Sequence, residues 1–238
     1  MHDNHQISRR QFTLAAAGLA AAPLIIGAEQ GFDTVISGGR VMDPESGFDA
    51  VANVGIRGGK IMAISAAPLV GGKRINATGL VVAPGFIDLH SHGKTLGDAD
   101  LQAQDGVTTS LELEAGTYPV TEFLAARAGQ ARINYGASSG QRSVRIFMTT
   151  GLTTPTFASL NPEIMRREQD WAYTRFDAPQ IERMASIMRR EIGAGALGIG
   201  LMNEYLPAAS RAESLALFGV AAATKCPIFT HVRLTVNT

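Results

Sequence analysis

Val82-Ala83-Pro84-Gly85-Phe86-Ile87-Asp88-Leu89-His90-Ser91-His92 ends an apolar run on two histidines one residue apart. In an extended strand side chains repeat every two residues, so His90 and His92 point to the same side and can hold one metal ion. Neutral imidazole is the commonest metal ligand among side chains. Taken by itself, the pair could also be a solvated strand end. The residues that the rest of the chain places beside these rings decide between the two.

Beyond His92, strand and helix patterns alternate, the signature of βα units and a parallel sheet. Residues 108–114, 133–138, 196–202 and 227–231 read as strands, and 120–130, 179–192 and 212–224 as helices. The helix at 179–192 carries Ile181, Met184, Ile187 and Met188 at helical spacing, a core-packing face. From Phe32 to about Leu80 the pattern is different, so a unit at 32–80 is expected ahead of the alternating part at 81–238. Short strands at 34–36, 39–42, 51–56 and 60–64 are separated by Gly-Gly, Asp-Pro and Gly-Gly-Lys turn signals, which predicts a small antiparallel β unit.

Strand two supplies the next ligand. In Ser110-Leu111-Glu112-Leu113-Glu114-Ala115-Gly116 the two carboxylates share one face. Inward carboxylates are costly unless paired or bound to a cation, although an edge strand with solvated glutamates would also fit. Glu114 lies roughly 7 Å further along the strand than Glu112. It is the expected ligand, with Glu112 its neighbour. Outside the first segment the chain has three histidines, His90, His92 and His231, all at predicted strand ends.

Composition narrows the function classes. Lys plus Arg and Asp plus Glu both number 21, so no net field draws the chain to nucleic acid or an anionic membrane. Cys226 is the sole cysteine, which excludes an internal disulfide and a cysteine-rich zinc site; it is expected in the core near a strand start. Residues 1–28 read as an export signal rather than structure. Arg9 and Arg10 precede an apolar stretch to about Ile26 that resembles a twin-arginine signal, too short for a confident membrane span. An extracytoplasmic, periplasmic location without stable membrane anchoring is expected.

Several stretches together resemble the D-aminoacylase branch of the amidohydrolase superfamily, the N-acyl-D-amino-acid and acyl-D-glutamate deacylases. They are A-P-G-F-I-D-L-H-S-H at 83–92, D-G-V-T-T at 105–109, I-N-Y-G-A-S-S-G-Q-R-S-V-R at 133–145, G-A-L-G-I-G at 195–200 and T-H-V-R at 230–233. The resemblance spans residues 32–233 and implies the N-terminal part of a (β/α)8 barrel preceded by part of a small β-sandwich. It further implies one or two zinc ions, with His90 and His92 at one position and His231 at the other. Barrel enzymes build their active sites at the C-terminal strand ends, where these histidines fall. Ala115 stands where the family has a cysteine ligand, and Glu114 is the expected replacement. Gln141 stands where relatives commonly have histidine, and no lysine sits at the end of strand four.

A barrel of this kind takes about 250 residues, so five strands leave it unclosed, and self-association through an open edge is expected. The resemblance places a second histidine and a general-base aspartate beyond residue 238, so no catalytic acid or base is assigned within the chain. The implied reaction is metal-assisted hydrolysis of a small N-acyl amino acid. Arg145, Tyr205 and Arg233 are candidates for gripping its carboxylate; a surface role for Arg145 and loop packing for Tyr205 are the alternatives. A dihydroorotase-like cyclic-amide hydrolase is the second enzymatic reading. An inactive fragment that at most binds metal is the reading from another class.

Overall fold

The computed structural model describes residues 31–93, 95–156 and 161–232, which divide into two compact units, up to Pro84 and from Gly85. The leader at 1–28 and Arg233 lie outside the described residues. Among the described residues no helix is long and apolar enough to cross a membrane.

The first unit is one sheet of β1 (Phe32–Asp43), β2 (Phe48–Arg57), β3 (Lys60–Ser65), β4 (Gly71–Asn76) and β5 (Val81–Val82). The expected strands at 34–36 and 39–42 are one strand. Gly38 does not turn the chain; at φ 73° it makes an irregularity in the β1–β2 register, and its N–H donates to Asn53 Oδ1 at 3.1 Å. Val41, Ala52 and Val54 form the core of this sheet, with Ile36, Ile56 and Val82 packed against them. The sheet is mixed rather than antiparallel, because β4 and β5 both run parallel to β1. The β4 sequence Gly-Gly-Lys-Arg-Ile-Asn is mostly exposed and has no apolar alternation, so only pairing reveals it. Val82 packs against the core of this sheet, and the first unit runs to Pro84.

The second unit follows the expected alternation. Its elements are β6 (Phe86–Asp88), α1 (Leu96–Gln104), β7 (Val107–Thr117), α2 (Val120–Ala125), β8 (Asn134–Gly140) and α3 (Gln141–Thr150). Short helices α4 (Pro162–Arg166) and α5 (Glu168–Ala172) follow, then α6 (Ala178–Gly193), β9 (Ile199–Met202), a 3-10 turn (Asn203–Tyr205), α7 (Arg211–Thr224) and β10 (Ile228–His231). The sheet order β6-β7-β8-β9-β10 is the chain order, and every pair is parallel. The sheet is curled into half a barrel: a Cβ on Gly200 of β9 would stand 2.5 Å from the carbonyl oxygen of Glu114, although β8 lies between their strands.

Helix α6 begins where its sequence says it should. Asp177 and Gln180 form a reciprocal capping box, and Pro179 sits in the first turn where its missing N–H costs nothing. Its apolar face buries Met184, Ile187 and Met188 against Ile199 and Leu201 of β9 and Leu217 and Val220 of α7. Ile181 and Cys226 pack only partly buried at the margin of this core, so Cys226 is less enclosed than its sequence context suggests.

Candidate metal centre

The histidines lie just past β6 rather than within it, so strand periodicity does not align them; a pinned turn does. The His90 N–H donates to Asp88 Oδ1 at 3.0 Å, and the Ser91 N–H to the Leu111 carbonyl at 3.1 Å. Gln102 Nε2 of α1 donates to Asp88 Oδ2 at 3.2 Å and to Ser91 Oγ at 2.9 Å. The outcome is two imidazoles with their Nε2 atoms 3.2 Å apart.

Glu114, on the neighbouring strand β7, completes the set. Its Oε2 stands 3.4 Å from Nε2 of His90 and 3.4 Å from Nε2 of His92. Glu114 is only 7% exposed, and this oxygen makes no hydrogen bond. An orphaned, buried carboxylate oxygen facing two ring nitrogens is costly without a cation. Tetrahedral zinc with bonds of about 2.0–2.2 Å spaces its donors about 3.4 Å apart, so this triangle fits one face of such a site. His90, His92 and Glu114 form a group able to hold a metal ion, with donor atoms within 4.8 Å of one another.

Glu112, two residues earlier on β7, shares the inner face but has a different partner. Nδ1 of His92 is 3.0 Å from each of its carboxylate oxygens. With Nδ1 donating, the lone pair of His92 is left on Nε2, toward His90 and Glu114. Burial pushes the Glu112 carboxyl up from its ordinary value, and the hydrogen bond from His92 and the charge of Arg142 oppose that shift. Glu112→Gln is expected to weaken zinc binding about tenfold to a hundredfold, the usual cost of losing an orienting partner. Competition against a chromophoric chelator measures this, and an unchanged affinity would mean the ring is held without the carboxylate.

His231 reaches the same carboxylate from β10. Its Nδ1 makes a close contact with Glu114 Oε1, so the two oxygens of Glu114 face different histidines. The structure thus brings His90, His92, Glu114 and His231 together. Tyr205 stands beside them, its ring centroid 5.2 Å from that of His231 in an edge-to-face arrangement.

Arg145 is not on this surface. It is 0% exposed on α3, with Nη1 donating to Glu213 Oε2 at 2.7 Å, Nε to the Trp171 carbonyl at 2.7 Å, and Nη2 in close contact with the Thr174 carbonyl. Its guanidinium also lies 4.1 Å over the Phe176 ring. With every guanidinium nitrogen engaged inside the fold, it is a core arginine rather than a substrate contact. Arg142, three residues earlier on the same helix, is also buried, which pulls its pKa down while the charges of Glu112 and Glu114 push it back up; sequence reasoning passed over it.

Residues 73–232, most of the chain, match the Amidohydrolase family. The D-aminoacylase of Alcaligenes xylosoxydans xylosoxydans is 28% identical over 211 residues, which cover 76% of this chain and 40% of that protein. The dihydroorotase of Streptococcus pneumoniae serotype 4 is 41% identical over 92 residues, 38% of this chain and 21% of that protein. The structure of N-acyl-D-glutamate deacylase from Bordetella bronchiseptica, complexed with zinc and a phosphonate inhibitor, superposes with a TM-score of 0.62 at 22% identity, covering 86% of this chain and 46% of that one. The chain therefore spans less than half the length of each protein it matches here. With its five parallel strands curled as in the first part of that fold and its histidines and glutamates gathered at their ends, the chain belongs to the amidohydrolase family.

Proposed function

We propose that this chain carries the metal-holding part of a metal-dependent amide hydrolase of the N-acyl-D-amino-acid deacylase type. The observation that carries the reading is the buried Glu114 Oε2, without a hydrogen bond and 3.4 Å from both His90 and His92 Nε2. Similarity to D-aminoacylase over 76% of the chain supports the choice of linear amide. Two histidines and a carboxylate are a zinc donor set, and His231 on the second oxygen of Glu114 offers a place for a second ion.

A zinc ion held there would polarise the amide carbonyl and acidify a water molecule. The chain's own residues do the positioning. Glu112 fixes the tautomer of His92, the Asp88 and Gln102 bonds hold the turn that presents both rings, and Tyr205 packs edge-to-face against His231. Tyr205 and Arg233 are the proposed contacts for the substrate carboxylate. No nucleic-acid role is proposed for a chain of zero net charge. Export by the twin-arginine route is supported by Arg9-Arg10 before an apolar stretch, and self-association by exposed Phe86, Ile87 and Leu89 at the β6 edge of the sheet.

The dihydroorotase match over 92 residues favours a cyclic amide as the second reading. Purified protein loaded with zinc, offered N-acetyl-D-amino acids and cyclic imides, separates the two. Release of free amino acid that stops on chelation and returns with zinc is expected. Turnover confined to the cyclic substrates would move the protein to the second reading, and a protein that takes up no zinc would remove both.

A further inference from the structure

We propose that water occupies the narrow cavity bounded by β7, α1 and α2, where it bridges the Ser91–Ser110 hydroxyl pair to the Glu112 carboxylate and positions Glu112 against His92. The hydrated bridge stands on the geometry of the cavity; its effect on zinc rests on the metal-dependent reading. The cavity measures about 30 Å³. A water molecule needs about 10–15 Å³ of such space and two to four polar partners, so about two can enter.

Polar groups converge on this space from several elements. Ser91, Gln102, Ser110, Glu112, Arg127 and Tyr135 all line it, with Phe123 and Ile133 among its apolar members. Ser91 is 5% exposed; its Oγ accepts from Gln102 Nε2 at 2.9 Å and bonds to Ser110 Oγ at 2.8 Å. Two hydroxyls joined by one hydrogen bond use one of their two protons. Whichever serine donates, the proton of the other points elsewhere, and among the described residues no side chain receives it.

Glu112 is the acceptor in want of donors. It is 3% exposed, and its two oxygens share one N–H, the Nδ1 of His92 at 3.0 Å from each. A carboxylate offers about four acceptor sites, so capacity remains. Neither serine bonds to Glu112 directly, although all three line the cavity. A water between them accepts the serine proton and donates its own to the carboxylate. Arg127 does not take this place: its Nη1 and Nη2 donate to the carbonyls of Phe123 and Gly93 at 3.3 and 3.2 Å, and its guanidinium lies 3.8 Å from the Phe123 ring centroid. Its charge still acts across the cavity, since burial pulls the Arg127 pKa down while Glu112 and Tyr135 push it up. Gln102 ties the bridge to the histidine turn, because the same amide donates to Asp88 Oδ2 at 3.2 Å, and Oδ1 of that carboxylate accepts from the His90 N–H. Water thus connects the group that shapes the turn to the group that orients one of its rings.

The test begins with a crystal structure of the metal-free full chain at a resolution that shows ordered water. Water density within hydrogen-bond distance of both a serine hydroxyl and Glu112 is expected; a dry cavity, or water that does not reach Glu112, overturns the inference without any variant. Ala99 lies on the α1 wall, and Ala99→Leu fills the space with hydrocarbon and should expel the water. Zinc affinity, read by chelator competition, should then fall about threefold to tenfold, the net worth of one hydrogen bond, while the urea midpoint of the metal-free protein is no lower than that of the parent. Ser110→Ala, which keeps the space but removes a hydroxyl, should lower the affinity in the same range. Variants that bind zinc as tightly as the parent overturn the positioning role, and a loss of affinity matched by an equal loss of stability marks packing and overturns it too. A hydrated cavity in a parent chain that takes up no zinc refutes the hydrolase reading and leaves the bridge standing.

Discussion

Glu114→Ala is expected to lower the zinc affinity of the chain by at least about a thousandfold. The estimate follows from the loss of one unit of opposing charge: at about 4 Å and an effective dielectric near 20 such a pair is worth about 4 kcal/mol, before the second charge of the ion is counted. The substitution also removes the single group that touches both sides of the centre, since Oε2 faces the His90 and His92 pair and Oε1 faces His231. Metal content after dialysis against a weak chelator reads the result directly. Glu114→Gln distinguishes charge from shape, because it keeps the oxygen but loses the ionic attraction; retention of zinc by both variants would show that the ion is held by other donors.

The second large effect concerns stability. Glu213→Ala should destabilise the fold by about 3–5 kcal/mol, because it leaves the Arg145 guanidinium buried without its counter-ion. Both side chains are 0% exposed, and Glu213 accepts from Arg145 at 2.7 Å and from Gln141 Nε2 at 2.7 Å, joining α3 to α7. Urea unfolding of the metal-free protein gives the difference. Replacing both partners by apolar residues, Arg145→Met with Glu213→Leu, should recover most of the loss, since removing an entire buried pair is often neutral. A Glu213→Ala variant as stable as the parent would mean that water reaches the guanidinium.

These two experiments bear on what could be read from sequence. His90, His92, Glu114 and His231 were legible because their side chains are chemically distinctive and sit at the ends of apolar runs, and sheet connectivity then brings those ends together. The two arginines of α3 were not distinguishable in that way. They are three residues apart on a helix whose start, Gln141, follows a strand without a break, and the sequence admits a surface helix charge at Arg145 without giving that helix its bounds. Without the bounds there is no basis for deciding which arginine faces inward to Glu213. Glu112 was seen as a neighbour of Glu114, but its partner His92 depends on the turn after β6, a set of long-range hydrogen bonds with no local signature.

Part of the first unit escapes sequence reading for another reason. Two of its strands, β4 and β5, are held by parallel pairing with β1 and bury little, so no periodic pattern marks them. Pattern recognition detects burial, and these strands are defined by backbone bonds.

Gly200 gives the candidate centre a property that none of its side chains has. A methyl group there would meet the carbonyl oxygens of Leu113 and Glu114 at 2.6 and 2.5 Å, so any larger residue must displace the backbone that carries Glu114. The carboxylate is therefore registered against β9 by contact with bare main chain, as a machined part is located by a flat face rather than by a bolt. Side chains around His90 and His92 can be exchanged without touching that reference surface. Tolerance to change around Glu114 is set less by the groups that face its carboxylate than by one position that must remain empty.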